Sequence, residues 1–262
     1  MAQPVGHTVG MTSPIIPGAE PWSHVGSGPR GALVIHGFTG HPGSMRGLAE
    51  AFAAAGFHVE MPLLPGHGTS VDDMVPTRWA DWAGEAEAAY QRLAARADRI
   101  VVAGLSMGGA LTLRVGADHP TVAGLVCVNP AAQPQASEVV QMLQGMADSG
   151  AETMAPIGGD VADPAAVPAE YDATPIRALV SMLHDGLGPL APLYPSMTIP
   201  LLLMNSPQDH VVDPAQAEFL AAEYGGPVER VSLDRSYHLA TIDFDRELVC
   251  ESAVAFGQRV CA

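Results

Sequence analysis

The chain has 262 residues, 48% of them hydrophobic and 15% charged, which suits one large α/β domain with a substantial core and excludes a disordered chain. Its formal net charge is −16 and its twelve basic residues are all arginine, a balance that repels nucleic acid and anionic membranes and favours neutral or cationic small molecules. No apolar run is long enough to cross a bilayer, no basic and then apolar leader precedes Arg30, and Cys127, Cys250 and Cys261 form no Cys-x-x-Cys unit, so the expectation is a cytoplasmic protein with no stable membrane insertion, no zinc site and no disulfide framework.

In chain order, the apolar run Ala32 to His36 predicts the first strand, and a helix follows near Ser44 to Ala55. Next come a strand at His58 to Met61, a loop holding Pro62, Pro65, Gly66 and Gly68, and a helix from about Trp79 to Ala97. Strand Ile100 to Ala103 leads into a helix-like segment, Ala110 to Gly116. Strands Leu125 to Val128 and Leu201 to Asn205, helix Pro214 to Tyr224, strand Val228 to Leu233 and helix Asp245 to Val260 complete the pattern. Alternating βα units with fully apolar strands predict a mostly parallel central sheet with helices on both faces.

Residues 130–198 break that rhythm. They are rich in Pro and Gly, show no clear strand, and hold Met142, Leu143, Met146, Met154, Ile157, Leu179, Met182 and Leu183. The expected organisation is a core of residues 1–129 and 199–262 with an insertion, 130–198, packed over the top of the sheet. Such an insertion can form a small core of its own, line an apolar pocket with adaptable thioethers, or do both.

The strongest chemical signal is Gly104-Leu105-Ser106-Met107-Gly108, a Gly-x-Ser-x-Gly between a strand and a helix. That is the layout of a nucleophile elbow, in which small neighbours let strand and helix pass close together and the helix N-terminus points its free N–H groups at a developing oxyanion. A serine hydroxyl is a weak nucleophile and needs a base, and the base needs an orienting acid. In hydrolases with such an elbow the acid and then the base follow in chain order at strand ends. Asp209 lies just past strand Leu201 to Asn205, and Asp213 is its rival, although Asp213 precedes Pro214 and fits better as a helix cap. His238 alone among the ten histidines follows the last strand in the required order. His36-Gly37-Phe38-Thr39-Gly40 directly follows the first strand, so the backbone N–H of Phe38, with that of Met107, can serve an oxyanion hole. His36 and His41 lack carboxylate or cysteine companions at useful spacing, so no metal is expected.

Taken together, the segments at 36–40, 65–68, 104–109, 209–212 and 236–243 resemble the bacterial carboxylesterase and monoacylglycerol lipase branch of the α/β-hydrolases. The resemblance runs through nearly the whole chain. It implies the α/β-hydrolase fold, a cap over the active site, no cofactor, and a small-molecule ester as substrate. Catalytic roles for Ser106, Asp209 and His238 and an oxyanion hole at Phe38 and Met107 carry over residue by residue. In that family an acidic cap residue helps hold a glycerol head group; Pro168 aligns with it here, with Glu170 two residues on, and Ile157 aligns with an apolar pocket residue. The expected substrate contacts are therefore Phe38, Ile157 and Glu170, and a glycerol preference does not carry over. The expected activity is hydrolysis of short- to medium-chain acyl esters, monoacylglycerols among them, through an acyl-enzyme. Its rivals are C–C bond hydrolysis or other chemistry on the same fold, and a non-catalytic small-molecule sensor.

Overall fold

A computed structural model describes residues 13–168 and 170–262. The start of the chain, where the absence of a leader was read, lies outside the described residues. In chain order the elements are β1 (Trp22–His24), β2 (Arg30–Ile35), α1 (Arg46–Ala54), β3 (His58–Met61), α2 (Val71–Met74), α3 (Trp79–Ala94), β4 (Arg99–Leu105), α4 (Met107–Asp118), β5 (Gly124–Val128), α5 (Ser137–Asp148), β6 (Thr153–Met154), β7 (Thr174–Pro175), α6 (Ile176–Ser181), α7 (Gly188–Leu190), β8 (Leu201–Asn205), α8 (Ala215–Glu223), β9 (Val228–Ser232) and α9 (Arg246–Val260).

Seven strands form the main sheet in the order β1-β3-β2-β4-β5-β8-β9, all parallel except β1. The central strands are apolar on both faces because helices cover both. Leu33, Ile35, Val102, Leu125 and Cys127 face a layer built on α3, α4 and α8, with Trp82, Leu111 and Leu220 buried in it. Their neighbours Ala32, Val34, Val101, Ala103 and Val126 face the opposite layer, where Phe52 of α1 and Phe256 of α9 are buried. This is the two-residue alternation of a pleated strand.

Strands β5 and β8 pair directly, from Leu125↔Leu201 to Val128↔Met204, although residues 129–200 lie between them in the chain. That intervening segment holds α5, α6 and α7. A single π-helical turn, Met182–Leu187, joins the last two. Gly186 lets this turn lie on α3, since a β-carbon there would sit 2.7 Å from the Trp79 ring.

Three expectations are corrected. Strand β1 was not foreseen; it is three residues long, only partly buried, and takes its order from pairing with β3. The segment 130–198, read as having no clear strand, contains the two-residue ladder of β6 and β7, Thr153↔Pro175 and Met154↔Thr174, which is too short to leave a period. The helix after the elbow starts at Met107, not Ala110. Gly108 and Gly109 have poor helix propensity, and tertiary contact overrides it.

That contact is the point on which the site is built. A β-carbon on Gly104 would lie 2.0 Å from the Gly108 carbonyl oxygen, and one on Gly108 would lie 2.2 Å from the Ile35 carbonyl oxygen. Strands β2 and β4 and the first turn of α4 therefore touch backbone to backbone. Gly104→Ala and Gly108→Ala are each expected to lower the urea-unfolding free energy by about 1–3 kcal/mol or more. Gly47→Ala, in α1 with open space around the new methyl, is expected to be neutral or to raise it by up to about 1 kcal/mol. Equal stability of all three variants would contradict this packing.

Candidate active site

Ser106 occupies the corner between β4 and α4 with φ 56° and ψ −118°. A residue with a β-carbon adopts such a conformation at a cost of about 1–3 kcal/mol, and keeps it only where its surroundings over-determine it. Here its N–H donates to the Val128 carbonyl at 3.0 Å, and its carbonyl accepts from Gly109, Ala110 and Ala131 at 2.9, 3.2 and 3.2 Å. The corner holds the side chain at the wall of a cavity of about 340 Å³. The N–H groups of Met107 and Phe38 have no acceptor outside the regular ladders among the described residues. Met107 itself is fully buried and Phe38 nearly so.

Asp209 follows β8 in a tight turn that its own side chain closes. One carboxylate oxygen accepts the N–H groups of Val211 and Val212, both at 2.8 Å. The other lies 2.7 Å from Nδ1 of His238, and the two side chains are 2% and 4% exposed. An ionised carboxylate can only accept, so Nδ1 carries the proton and Nε2 is the ring nitrogen left facing other partners. Ser106 and His238 line the same cavity. Among the described residues their side chains form no hydrogen bond with each other; in unliganded hydrolases this contact is often long and tightens around the substrate.

The competing residues have other duties. Asp213 is exposed and accepts the Ala215 N–H at 2.9 Å at the start of α8. His210 has its ring Nδ1 3.0 Å from Asp160.

The turn after β2 is braced by two buried histidines. His36 accepts the Leu64 N–H on Nε2 at 3.2 Å, so its Nδ1 donates to the Gly37 carbonyl at 2.9 Å. Its ring is neutral, because burial, helped by the neighbouring His67, holds its pKa well below the usual imidazole range. The His67 ring packs edge-on against His36, Phe38 and Trp82 at 5.1, 6.4 and 5.7 Å. Burial pulls its pKa down to about 4. In the sequence His67 lies between Gly66 and Gly68, and nothing in those flanking glycines signals the aromatic box that it completes.

The cavity has two characters. Met142, Leu143, Met154, Leu179, Met182 and Leu187, all from the segment between β5 and β8, make an apolar arm. Phe38, Ile157 and Glu170 are also on the wall, whereas Pro168 is not. Glu170 rests against Gly158, where a β-carbon would overlap its carboxylate. One of its oxygens is buried with no hydrogen-bond partner among the described residues, and burial, opposed by nearby His238, pushes its pKa up. Glu170 thus reaches the cavity wall, and Pro168 does not. Asn129 and Asp160, which touch the loops of Asp209 and His238, carried no sequence signal beyond the place of Asn129 at the end of a buried strand. Among the described residues no group of three or more His, Cys, Asp or Glu could hold a metal ion, and no helix is long and apolar enough to cross a membrane.

A protein-family model described as serine aminopeptidase, S33 matches residues 28–245. A thermostable monoacylglycerol lipase of Bacillus sp. (strain H-257) is 37% identical over 246 residues, 93% of this chain and 96% of the relative. A carboxylesterase of Bacillus subtilis (strain 168) is 24% identical over 235 residues, 89% of this chain and 94% of the relative. Among solved structures, one described with LipS and LipT, two metagenome-derived lipolytic enzymes, superposes with a TM-score of 0.88 at 37% identity, covering 94% of this chain and all of the other.

The His67 ring makes a pH prediction. Its folded pKa of about 4 lies below the unfolded value of about 6.5, so the folded state binds fewer protons between those limits. The contribution of the neutral ring is complete above about pH 6.5 and is lost as pH falls toward about 4, at up to roughly 1.4 kcal/mol per unit. In urea unfolding, the stability gap between the wild type and His67→Gln should narrow steadily from pH 6.5 to 4. A gap that stays constant would contradict the assignment.

Proposed function

The chain belongs to the serine aminopeptidase, S33 family and has the α/β-hydrolase fold, and from that premise we propose that it is a serine esterase that cleaves short- to medium-chain acyl esters, monoacylglycerols included. The single observation that carries this is the Asp209–His238 hydrogen bond of 2.7 Å, nearly sealed from water, beside the cavity that Ser106 also lines. A buried acid paired with the far nitrogen of a cavity imidazole is what a hydroxyl nucleophile requires, and a mere binding pocket does not.

In the proposed mechanism His238 Nε2 takes the proton of Ser106 Oγ as the oxygen attacks the ester carbonyl. Asp209 keeps the ring in the Nδ1-protonated tautomer and stabilises the imidazolium. The Phe38 and Met107 N–H groups, with the positive end of α4 behind the latter, stabilise the tetrahedral oxyanion. His238 then gives its proton to the leaving alcohol, and water repeats the sequence on the acyl-enzyme. Residues 130–198 act as a cap on a core formed by 1–129 and 199–262: its methionine- and leucine-rich arm takes the acyl chain, with Phe38 and Ile157 at the junction.

At the alcohol end, Glu170 is the group with an unmet need. A buried carboxyl oxygen without a partner costs about 1–3 kcal/mol, and a glycerol hydroxyl would supply what it lacks. The family's acidic cap residue then has its counterpart at Glu170, two residues beyond the aligned Pro168. The ester enzyme works without a cofactor in this scheme. The three cysteines are free thiols, which fits a reducing cytoplasm as its place of work.

Ser106→Ala is expected to lower kcat on p-nitrophenyl butyrate by roughly 10⁴- to 10⁶-fold. Near-normal turnover in that variant would remove Ser106 as the nucleophile. Glu170→Ala should raise KM for 1-monoacylglycerols by about tenfold, the loss of one good hydrogen bond, while KM for the aryl ester stays within about twofold. Equal changes on both substrates would mean that Glu170 does not read the alcohol.

A further inference from the structure

The main chain of His238 is gripped from both sides. Its carbonyl accepts from the Asn129 side-chain amide at 2.8 Å, and its N–H donates to Asp160 at 3.2 Å. Neither bond touches the imidazole, yet together they fix the peptide from which the ring hangs.

Asn129 sits at the C-terminal end of β5 with φ 43°, a left-handed conformation that Asn tolerates better than other residues with a β-carbon. Its whole amide is used. The oxygen accepts the Ser206 N–H at 2.7 Å; the nitrogen reaches Ser206 Oγ at 3.1 Å and the Tyr237 and His238 carbonyls at 3.2 and 2.8 Å. Ser206 Oγ donates in turn to the Tyr237 carbonyl at 2.8 Å. Asn129 and Ser206 are buried, so these bonds are shielded from competing water. One side chain thus ties the loop that carries Asp209 to the loop that carries His238.

Asp160 comes from the opposite direction, out of the segment between β5 and β8. The oxygen that accepts the His238 N–H also accepts the His210 N–H at 3.1 Å, its other oxygen lies 3.0 Å from His210 Nδ1, and its carbonyl accepts the Leu239 N–H at 3.1 Å. Two further bonds pin the same stretch: Asp243, on the His238 loop, accepts the N–H groups of Ala162 and Asp163 at 2.7 and 2.8 Å.

We infer that Asn129 and Asp160 are positioning residues for His238, and that through Asp160 the inserted segment is a working part of the proton relay and not only its roof. This rests on the Ser106–His238–Asp209 reading above. Among the described residues the one hydrogen bond of the ring is to Asp209, so loosening the peptide moves Nε2 relative to Ser106 while leaving the apolar arm of the cavity in place. A displacement of about 1 Å in a reacting group costs on the order of 100-fold in rate.

The test is the split between kcat and KM on p-nitrophenyl butyrate, with thermal unfolding run alongside to score folded protein. Asp160→Ala is expected to lower kcat by about 10- to 100-fold with KM within about twofold. Asp160→Asn, whose remaining carbonyl oxygen can still accept both backbone N–H groups, should recover most of the rate. His210→Ala removes the ring contact but not the His210 N–H, and should leave both constants near wild type. Asn129→Ser, which opens the other side of the grip, should repeat the kcat loss and is read alone if Asp160→Ala does not fold. Wild-type kcat in folded Asp160→Ala or Asn129→Ser, or an Asp160→Asn as slow as the alanine variant, would overturn the inference. Failure of the underlying triad is separately visible as activity that survives Ser106→Ala.

Discussion

At φ 56° and ψ −118°, Ser106 holds a backbone conformation that persists only because the chain on every side leaves no alternative. Gly104 and Gly108 let β4, β2 and the first turn of α4 meet with no side chain between them. The parallel sheet then fixes the direction of that meeting, since β2, β4, β5 and β8 all deliver their C-terminal ends to one edge. The loops after β2, β4, β5 and β8 carry Phe38, Ser106, Asn129 and Asp209, and the loop after β9 carries His238. The hydrophobic layers on both faces stabilise the fold by far more than the few kcal/mol stored at the corner.

The loops at that edge are held by carboxylates more than by regular structure. Asp209 accepts two backbone N–H groups, and Asp160 accepts those of His210 and His238. Asp243 accepts four, from Ala162, Asp163, Tyr237 and Phe244; burial works against its ionisation, but those four donors hold its carboxyl below the usual range. Asp245 accepts the Arg235 N–H at 2.9 Å. Read from composition alone, the acidic excess belongs to the solvated surface. Part of it instead nails irregular backbone in place where no ladder exists, each bond strengthened by the full charge of its acceptor. Such loops are fixed by hydrogen bonds without being regular, which is what the proposed relay of three distant side chains needs.

The parts that were legible in sequence are those where physics leaves a local mark. A strained corner demands glycines at fixed offsets, so the turn at Ser106 announced itself; the places of Asp209 and His238, past successive strands, are found by counting. The apolar runs read as strands at 32–36, 100–103, 125–128 and 201–205 gave away the buried parallel sheet. What was not legible depends on contacts between distant segments. Strand β1 exists because β3 offers an edge, and the ladder of β6 and β7 is too short for any period. In the Pro- and Ala-rich stretch from 156 to 170, nothing local says which residue faces the cavity. Its course is set by Asp160 and by Tyr171, whose N–H donates to the Thr39 carbonyl and whose hydroxyl donates to the Gly66 carbonyl, so Glu170 turns inward and Pro168 does not. The grip of Asn129 and Asp160 on His238 is invisible for the same reason.

The central claim is that Ser106 is a nucleophile activated by His238, and a covalent trap reads it directly. Intact-mass and peptide-mapping analysis after treatment with a fluorophosphonate should find one equivalent of probe, on the peptide that contains Ser106, forming far more slowly in His238→Ala. Probe on a different residue, no adduct at all, or labelling of Ser106 at an undiminished rate without His238 would contradict the account.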